Sequence, residues 1–255
     1  MHSDTPNSKL FQQQSTPAFV SRWDELINWE GRKEAENGFF EEILSKARAH
    51  EVLDIACGTG YHAVTLTLSG FNVTGSDGSA QMIIKAKENA NAHGVGCINF
   101  RESEWAELSR SFPGGPQFDA IICLGNAFTH LFEEGDRIQA LEEIHSLLRP
   151  DGIAIIDQRN YGALLDKGYS SKHEFYYLGD TVDVHPSFIR EDKVQLEYNY
   201  TDGDTHSLSL YPLRQDHLTR LLQQTGFEQV VRYGDFKRAY ESLEPDFIIQ
   251  VAKKF

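Results

Sequence analysis

The sequence predicts an α/β fold in which a doubly wound, mostly parallel sheet is covered by helices on both faces. The first observation behind this prediction is that short apolar segments alternate with helical periodicities through residues 34–157, joined by short connections. The second is the segment Phe118 to Leu124, which is almost continuously apolar. Such a run is typical of a central parallel strand buried on both faces.

The elements of the sheet and its helices follow in order from these patterns. Five parallel strands are predicted over residues 51–56, 71–76, 97–101, 118–124 and 153–157. Helices are predicted where apolar residues recur three and four positions apart. These stripes are Phe40, Ile43, Leu44 and Ala47; residues 61–69; Met82, Ile83, Ala86 and Ala90; and Leu141, Ile144 and Leu148. Gly70 suits the left-handed end of the second helix, and Ser79 can cap the start of the third.

Beyond Asn160 the pattern changes to alternation of apolar and polar residues. Val194, Leu196, Tyr198 and Tyr200 alternate with polar positions, and Asp202-Gly203 is a strong turn signal before residues 207–211. Residues 160–212 are therefore predicted to be an antiparallel insertion after the fifth strand. A helix ending at Gly226 and two strands, over residues 229–233 and 247–252, close the chain.

Composition indicates one globular domain over residues 16–255 and excludes several classes of protein. Residues 1–15 are polar and are predicted to be a flexible arm rather than a signal peptide. No apolar run reaches the ~18 residues that a membrane span needs. The net charge of −14 disfavours nucleic acid as a partner. Cys57, Cys97 and Cys123 show no metal-ligand spacing, so we expect no metal site and a reduced, cytoplasmic protein.

A glycine-rich segment between the first strand and its helix predicts a nucleotide-like ligand. Gly58 and Gly60 lie where open α/β sheets bind ligands, and Asp77 at the end of the second strand can accept both hydroxyls of a ribose. Residues 58–63 formally match the fingerprint for NAD. Asp54 argues against NAD, because a carboxylate opposes a pyrophosphate and favours the ammonium and sulfonium of S-adenosylmethionine.

The segment Val52-Leu53-Asp54-Ile55-Ala56-Cys57-Gly58-Thr59-Gly60 resembles the cofactor motif of class I S-adenosylmethionine-dependent methyltransferases. This resemblance implies a Rossmann-like, seven-stranded sheet whose last strand is antiparallel, which fits the two terminal strands. It also implies that Arg32 holds the cofactor carboxylate, Asp77 the ribose, and Ser103 and Trp105 the adenine. The full set of cofactor residues implied is Trp23, Arg32, Asp54, Ala56, Cys57, Gly58, Gly60, Asp77, Gly78, Met82, Ser103, Trp105 and Leu124.

Four further segments resemble glycine N-methyltransferases, and above all the glycine/sarcosine N-methyltransferases of betaine synthesis. They are residues 19–27 with Trp29, residues 122–131, residues 156–161 and residues 233–237. The resemblance covers nearly the whole chain after residue 15. It implies methylation of glycine to sarcosine and of sarcosine to dimethylglycine, with S-adenosylhomocysteine as the second product.

The residue types near these segments suit a small amino acid as substrate. Arg159, at the end of a central strand, can bind a carboxylate through two hydrogen bonds, or form a surface ion pair. Asn126 can bind the same carboxylate or tie down a loop. By resemblance the insertion over residues 160–212 covers the substrate, and Tyr177 and Tyr211 contact it, as aromatic rings suit cationic methylamines. His130 is either a general base or a structural residue, and proximity and orientation are expected to supply most of the catalysis.

The sequence alone leaves other functions open. The chain could instead methylate sarcosine and dimethylglycine, or another small amine. It could bind S-adenosylmethionine without turnover, although the carboxylate facing the sulfonium argues for an enzyme. A NAD-linked oxidoreductase is the third hypothesis. The sequence leaves open the extent of methylation and whether the protein is a monomer or a homo-oligomer.

Overall fold

A computed structural model describes residues 14–169, 179–237 and 245–255 of the chain. The arm predicted for residues 1–15 therefore lies outside the described residues, apart from Gln14 and Ser15. Tyr177 lies outside them as well. Of the two described arm residues, Gln14 donates a hydrogen bond to Ser209 Oγ at 3.2 Å, and Ser15 is buried.

A seven-stranded sheet forms the centre of the molecule. Its order is β3-β2-β1-β4-β5-β10-β9, and only β10 runs antiparallel to its neighbours β5 and β9. This confirms the predicted sheet and its antiparallel last strand. The strands are β1 Glu51–Asp54, β2 Asn72–Asp77, β3 Asn99–Glu102, β4 Phe118–Cys123, β5 Leu148–Arg159, β9 Gln229–Gly234 and β10 Phe247–Lys253.

Helices cover both faces of this sheet, as a doubly wound fold requires. Alternate residues of β1 point into opposite cores: Val52 belongs to the core that contains Phe40, and Leu53 to the core that contains Leu141. The helices are α1 Pro17–Ser21, α2 Trp23–Leu26, α3 Trp29–Glu36, α4 Phe39–Lys46, α5 Tyr61–Leu68, α6 Ala80–Ala92, α7 Leu108–Ser111, α8 Glu134–Leu147, α9 Tyr161–Lys167 and α10 Gln215–Gln224.

One strand boundary differs from the prediction by more than two residues. The helix α8 ends at Leu147, and Leu148 already belongs to β5, five residues before the expected start of the strand. Leu148 pairs with Phe118 of β4, and the register between these strands then shifts before Ala120. Pairing with β4 is interrupted at residues 149–152 and resumes at Ile153, so the Pro150-Asp151-Gly152 segment, which the sequence indicated as a break, is an irregularity within β5.

A second, antiparallel sheet contains three strands in the order β6-β7-β8. They are β6 Val182–Arg190, β7 Lys193–Tyr200 and β8 Thr205–Leu210. The two strands expected around the Asp202-Gly203 turn are confirmed, and the alternating apolar residues of β7 are the buried ones. The strand β6 was not predicted. It lies at the edge of the small sheet and contains Pro186, next to which its register with β7 shifts. The proline and the shift interrupt the alternation of apolar and polar residues by which a strand is recognised.

Candidate cofactor and substrate site

A cavity lies at the carboxyl ends of the parallel strands, between the large sheet and the small one. The loops that follow β1 to β5 line one side, the N-terminal helices another, and the small sheet closes over the rest. Ligands of open α/β sheets bind at this edge, because the connections diverge there and leave a crevice. The predicted site residues can be placed by their relation to this cavity.

The two glycines of the loop after β1 have different roles. Gly58 lines the cavity and has φ +51, a left-handed conformation that favours glycine. Gly60 has φ +96 and does not line the cavity; a Cβ at this position would lie 3.2 Å from the Cβ of Ala86. We conclude that Gly58 leaves room for a ligand, whereas Gly60 allows the loop to pack closely against α6.

Asp54 is a buried carboxylate directly beneath this loop. It is 1% exposed, and its Oδ1 accepts a hydrogen bond of 3.2 Å from the Ala56 backbone. Its Oδ2 has no hydrogen-bond partner among the residues that the structure describes. Burial raises the pKa of Asp54 to about 6. A buried carboxylate with one unsatisfied oxygen suits a positively charged ligand group, since a cation would offset its desolvation.

Asp77, at the end of β2, lines the cavity. Its Oδ2 accepts a hydrogen bond from the Gly58 backbone and its Oδ1 one from the Ser79 backbone, both at 2.9 Å. Burial raises the pKa of Asp77 to about 6 as well. These two bonds fix the plane of the carboxylate, and each oxygen keeps further acceptor capacity. The geometry therefore suits a neighbouring pair of hydroxyl groups.

The remaining cofactor candidates follow the cavity wall. The structure places Trp23, Arg32, Ala56, Cys57, Gly78, Met82, Ser103, Trp105 and Leu124 along it. Trp105 is held in place by a hydrogen bond of 2.6 Å from its Nε1 to the Ile55 carbonyl. The Ser103 hydroxyl lies 2.7 Å from Ser111 Oγ, so it is already occupied by a protein partner. Asp54 is absent from the lining, although Ile55 and Ala56 beside it belong to the wall.

At the other end of the cavity, Asn126 joins the ends of β4 and β5. Its Oδ1 accepts a hydrogen bond of 3.0 Å from the Arg159 backbone, and its Nδ2 donates one of 2.9 Å to the Tyr161 hydroxyl. The Asn126 backbone, with φ +63, donates to Asp157 Oδ1 at 2.7 Å. The amide thus ties the two strand ends together, and a second Nδ2 hydrogen is available to a ligand.

Arg159 lines the cavity beside Asn126. Its guanidinium carbon lies 5.2 Å from the centre of the Phe247 ring. Within the part of the chain that the structure describes, no carboxylate forms an ion pair with Arg159. A cation that faces a cavity without a carboxylate partner among the described residues suits a carboxylate ligand, which its two parallel N–H groups can bind together.

The two described candidates for a catalytic role, His130 and Tyr211, differ in position. His130 lines the cavity, and burial lowers its pKa to about 4, so its ring is neutral at physiological pH. Tyr211 does not line the cavity. Its ring packs 4.2 Å from the guanidinium carbon of Arg137, and its backbone donates a hydrogen bond of 2.8 Å to the Thr129 carbonyl. The structure therefore brings His130, but not Tyr211, to the cavity.

The sequence predicts an insertion that covers the substrate, but the residues with which the small sheet lines the cavity were not among the predicted site residues. Tyr198 lines it from β7, and burial raises the pKa of its hydroxyl, which stays protonated. Its neighbours on this wall are aliphatic: Val184, Leu196, Leu208 and Leu210. The period of two did place Tyr198 and Leu196 on one buried face. Nothing in that period could show that the face covers a ligand cavity.

The described residues contain neither a metal-binding cluster nor a membrane-spanning helix. No group of three or more His, Cys, Asp or Glu side chains in these residues could hold a metal ion. No helix among them is long and apolar enough to cross a membrane.

Comparisons with known proteins identify the family of this chain. The profile of a methyltransferase domain matches residues 52–152. A glycine/sarcosine N-methyltransferase of Halorhodospira halochloris is 43% identical over 244 residues, which cover 96% of this chain and 90% of that protein. This chain belongs to the glycine/sarcosine N-methyltransferase family.

Two further comparisons concern a longer relative and the fold. A glycine/sarcosine/dimethylglycine N-methyltransferase of Actinopolyspora halophila is 44% identical over 92% of this chain, which spans 41% of that protein. An S-adenosylmethionine-dependent methyltransferase of Clostridium acetobutylicum superposes with a TM-score of 0.73 at 17% identity, covering 93% of this chain and 98% of that one. The second likeness concerns the fold, which is that of class I methyltransferases.

Proposed function

We propose that the protein transfers the methyl group of S-adenosylmethionine to the amine of glycine and then to that of sarcosine, releasing S-adenosylhomocysteine. These are early steps from glycine towards betaine. The observation that carries the proposal is Arg159, a cation at the substrate end of the cavity without a carboxylate partner among the described residues. The names of relatives at 40–44% identity support the same pair of substrates.

The donor set of the cavity fits S-adenosylmethionine. Its sulfonium supplies an electrophilic methyl group and its amino-acid part supplies an ammonium and a carboxylate. Asp54 would balance the positive charge, since its Oδ2 is buried without a hydrogen-bond partner among the described residues. Arg32 would hold the carboxylate, and Asp77 would accept the ribose hydroxyls. Trp105, Met82 and Leu124 would pack on the adenine.

The chain's own part in the reaction is to bind, orient and exclude water. Arg159 fixes the carboxylate of the amino acid, which leaves its nitrogen as the end that can turn towards the cofactor. Proximity and alignment of this kind lower the barrier of a two-reactant step by several kcal/mol, on the order of 7–11. Tyr198 and the aliphatic wall from the small sheet keep the reacting end dry, and charge dispersal in methyl transfer is favoured by a dry site.

We also place the protein in the cytoplasm. Its three cysteines are free, and two of them, Cys57 and Cys123, are buried as thiols. Burial raises the pKa of both thiols well above the usual value, which makes them unreactive. Cysteines that remain free thiols, without disulfide bonds, are typical of proteins from reducing compartments.

A methyl-transfer assay with labelled S-adenosylmethionine tests the function. We expect methylation of glycine and of sarcosine, with dimethylglycine accumulating as the product. Methylation of dimethylglycine would extend the function to the third step, as in the name of the Actinopolyspora relative. Cofactor binding without transfer to any of the three amines would contradict the proposal and leave a cofactor-binding protein.

Activity is expected to rise with pH, for two reasons. The amine must be neutral to attack, and its neutral fraction grows with pH. Asp54 and Asp77, with pKa values of about 6, gain protons below that pH and lose their attraction for the cofactor. Measuring both the rate and the affinity for S-adenosylhomocysteine from about pH 5 to about pH 9 separates the two effects. A flat rate profile above neutral pH would show that amine deprotonation does not limit the reaction.

The substitution His130→Gln is expected to leave glycine methylation within about threefold of wild type, whereas losing a general base would lower the rate about 100-fold or more. The reason is that burial lowers the pKa of His130 to about 4, and such a ring holds a proton too weakly to deprotonate an amine. The measurement is kcat and KM for glycine at neutral pH. Thermal unfolding of both proteins controls for damage to the loop after β4.

A further inference from the structure

A cluster of buried polar side chains joins helix α3 to the start of helix α5, behind the cofactor end of the cavity. Its members are Arg32, Glu36, Tyr61 and His62, and each is less than a tenth exposed. Arg32, Tyr61 and His62 line the cavity, whereas Glu36 does not. Glu36 therefore contacts three residues of the cavity wall from behind.

The hydrogen bonds of this cluster converge on the Glu36 carboxylate. Its Oε1 accepts a bond of 2.8 Å from Arg32 Nε and lies 2.9 Å from His62 Nε2. Its Oε2 accepts a bond of 3.4 Å from the Tyr61 hydroxyl. The same Tyr61 ring packs 4.9 Å from the guanidinium carbon of Arg32. Glu36 thus contacts the Arg32 guanidinium and two residues of the helix that follows the glycine loop.

The charge of Glu36 is maintained in this buried position. Burial acts to raise its pKa, but the charges of His62 and Arg32 outweigh that effect and lower the pKa below the usual value. A buried ion pair of this kind contributes little net stability, because desolvation offsets most of the attraction. Its persistence is better explained by the geometry that it imposes on Arg32.

That geometry matters because other carboxylates compete for Arg32. Burial raises the pKa of both Asp54 and Asp157, and the positive charge of Arg32 opposes part of that rise at each of them. If the guanidinium turned to Asp54, both groups would be neutralised and neither would serve the cofactor. Glu36 takes up Nε, so the other end of the guanidinium is directed towards the loop after β4: a Cβ on Gly125 would lie 4.0 Å from Arg32 Nη2.

We infer that Glu36 is a positioning residue for cofactor binding: it holds Arg32 in the orientation that receives the carboxylate of the cofactor and keeps it away from Asp54. The inference rests on the proposed function only for the identity of the cofactor, and is independent of the methyl acceptor. Because Glu36 acts through Arg32, its effect is confined to ligands that carry the amino-acid part of the cofactor.

Two ligands separate this role from general packing. S-adenosylhomocysteine contains the amino-acid part, whereas 5′-methylthioadenosine lacks it and still fills the adenosine end. In Glu36→Gln we expect the calorimetric affinity for S-adenosylhomocysteine to fall about tenfold or more, as expected for loss of a hydrogen bond to a charged group. The affinity for 5′-methylthioadenosine should stay at the wild-type value, which also shows that the variant is folded.

Matched variants complete the experiment. Glu34→Gln makes the same change on the exposed side of the same helix and should alter neither affinity. Glu36→Asp keeps the buried charge and is used if Glu36→Gln does not fold; it should show the same selective loss, reduced in size. Equal losses for both ligands, or none, would overturn the inference. A wild-type protein that binds S-adenosylhomocysteine at no measurable affinity would overturn the proposed function instead, and with it the role of Glu36.

Discussion

In the variant Arg159→Ala, methylation of glycine and sarcosine is expected to fall by a factor of about 1,000 in kcat/KM, because a charged pair with two hydrogen bonds is lost inside a cavity. Arg159 lines the substrate end and pairs with no carboxylate of the described chain, so its removal leaves the substrate carboxylate without a counter-ion. The affinity for S-adenosylhomocysteine should not change, since Arg159 belongs to none of the groups expected to hold the cofactor.

Two controls make this result specific. Arg159→Lys keeps the charge but loses the planar pair of donors, so we expect it to recover only part of the activity. Arg220→Ala removes an exposed arginine from the surface of α10 and should leave both rate and affinity unchanged. If Arg159→Ala still methylated glycine at near the wild-type rate, another group would have to bind the carboxylate, and the assignment of the substrate end would be wrong.

The cofactor end of this site could be predicted because its chemistry is local in sequence. Asp54 and Asp77 are the last residues of their strands, the glycines lie in the loop that follows Asp54, and parallel strands bring their carboxyl ends to one edge. The apolar run of β4 and the alternation of strands and helices predicted a mostly parallel sheet in the same way, whereas the order of its strands is known from the structure. Errors at this level are small, such as the early start of β5 at Leu148.

The rest of the site depends on contacts between distant segments. Glu36 and Arg32 are spaced as an ordinary surface ion pair of a helix, and only the packing of α3 against α5 makes them buried. The Asn126 amide bonds to residues of β5 and α9 more than thirty positions away. Tyr198 was visible as part of a buried stripe, but its place over the cavity depends on how the small sheet docks, for which periodicity carries no information.

The second prediction with a large effect concerns Asp54. In Asp54→Asn we expect loss of measurable binding of S-adenosylhomocysteine and, at the same time, a more stable cofactor-free protein. The pKa of Asp54 is raised from 3.8 to about 6, so at neutral pH the buried charge costs about 3 kcal/mol of folding free energy. The amide removes that cost but buries an unsatisfied N–H group, which costs about 1–2 kcal/mol. The net gain is about 1–2 kcal/mol.

The pH dependence of this gain follows from the direction of the shift. Because the pKa of Asp54 is higher in the folded state than in the unfolded one, the folded wild type takes up a proton between about pH 6 and pH 4 and is stabilised relative to the unfolded chain as pH falls. Asp54→Asn lacks this proton uptake. Its advantage in melting temperature should therefore be largest at neutral pH and shrink towards about pH 4.

Asp119→Asn provides a matched control, for which the expected change in melting temperature at neutral pH has the opposite sign. This partly exposed carboxylate accepts bonds of 2.9 Å from the His50 and Glu51 backbones and one of 2.7 Å from Arg149. Although burial acts to raise its pKa, these bonds lower it. Its charge therefore stabilises the fold at neutral pH, and the amide variant should melt earlier there while binding S-adenosylhomocysteine normally. If Asp54→Asn also melted earlier at neutral pH, Asp54 would be stabilising the fold, and its unsatisfied oxygen would not be held for a cationic ligand.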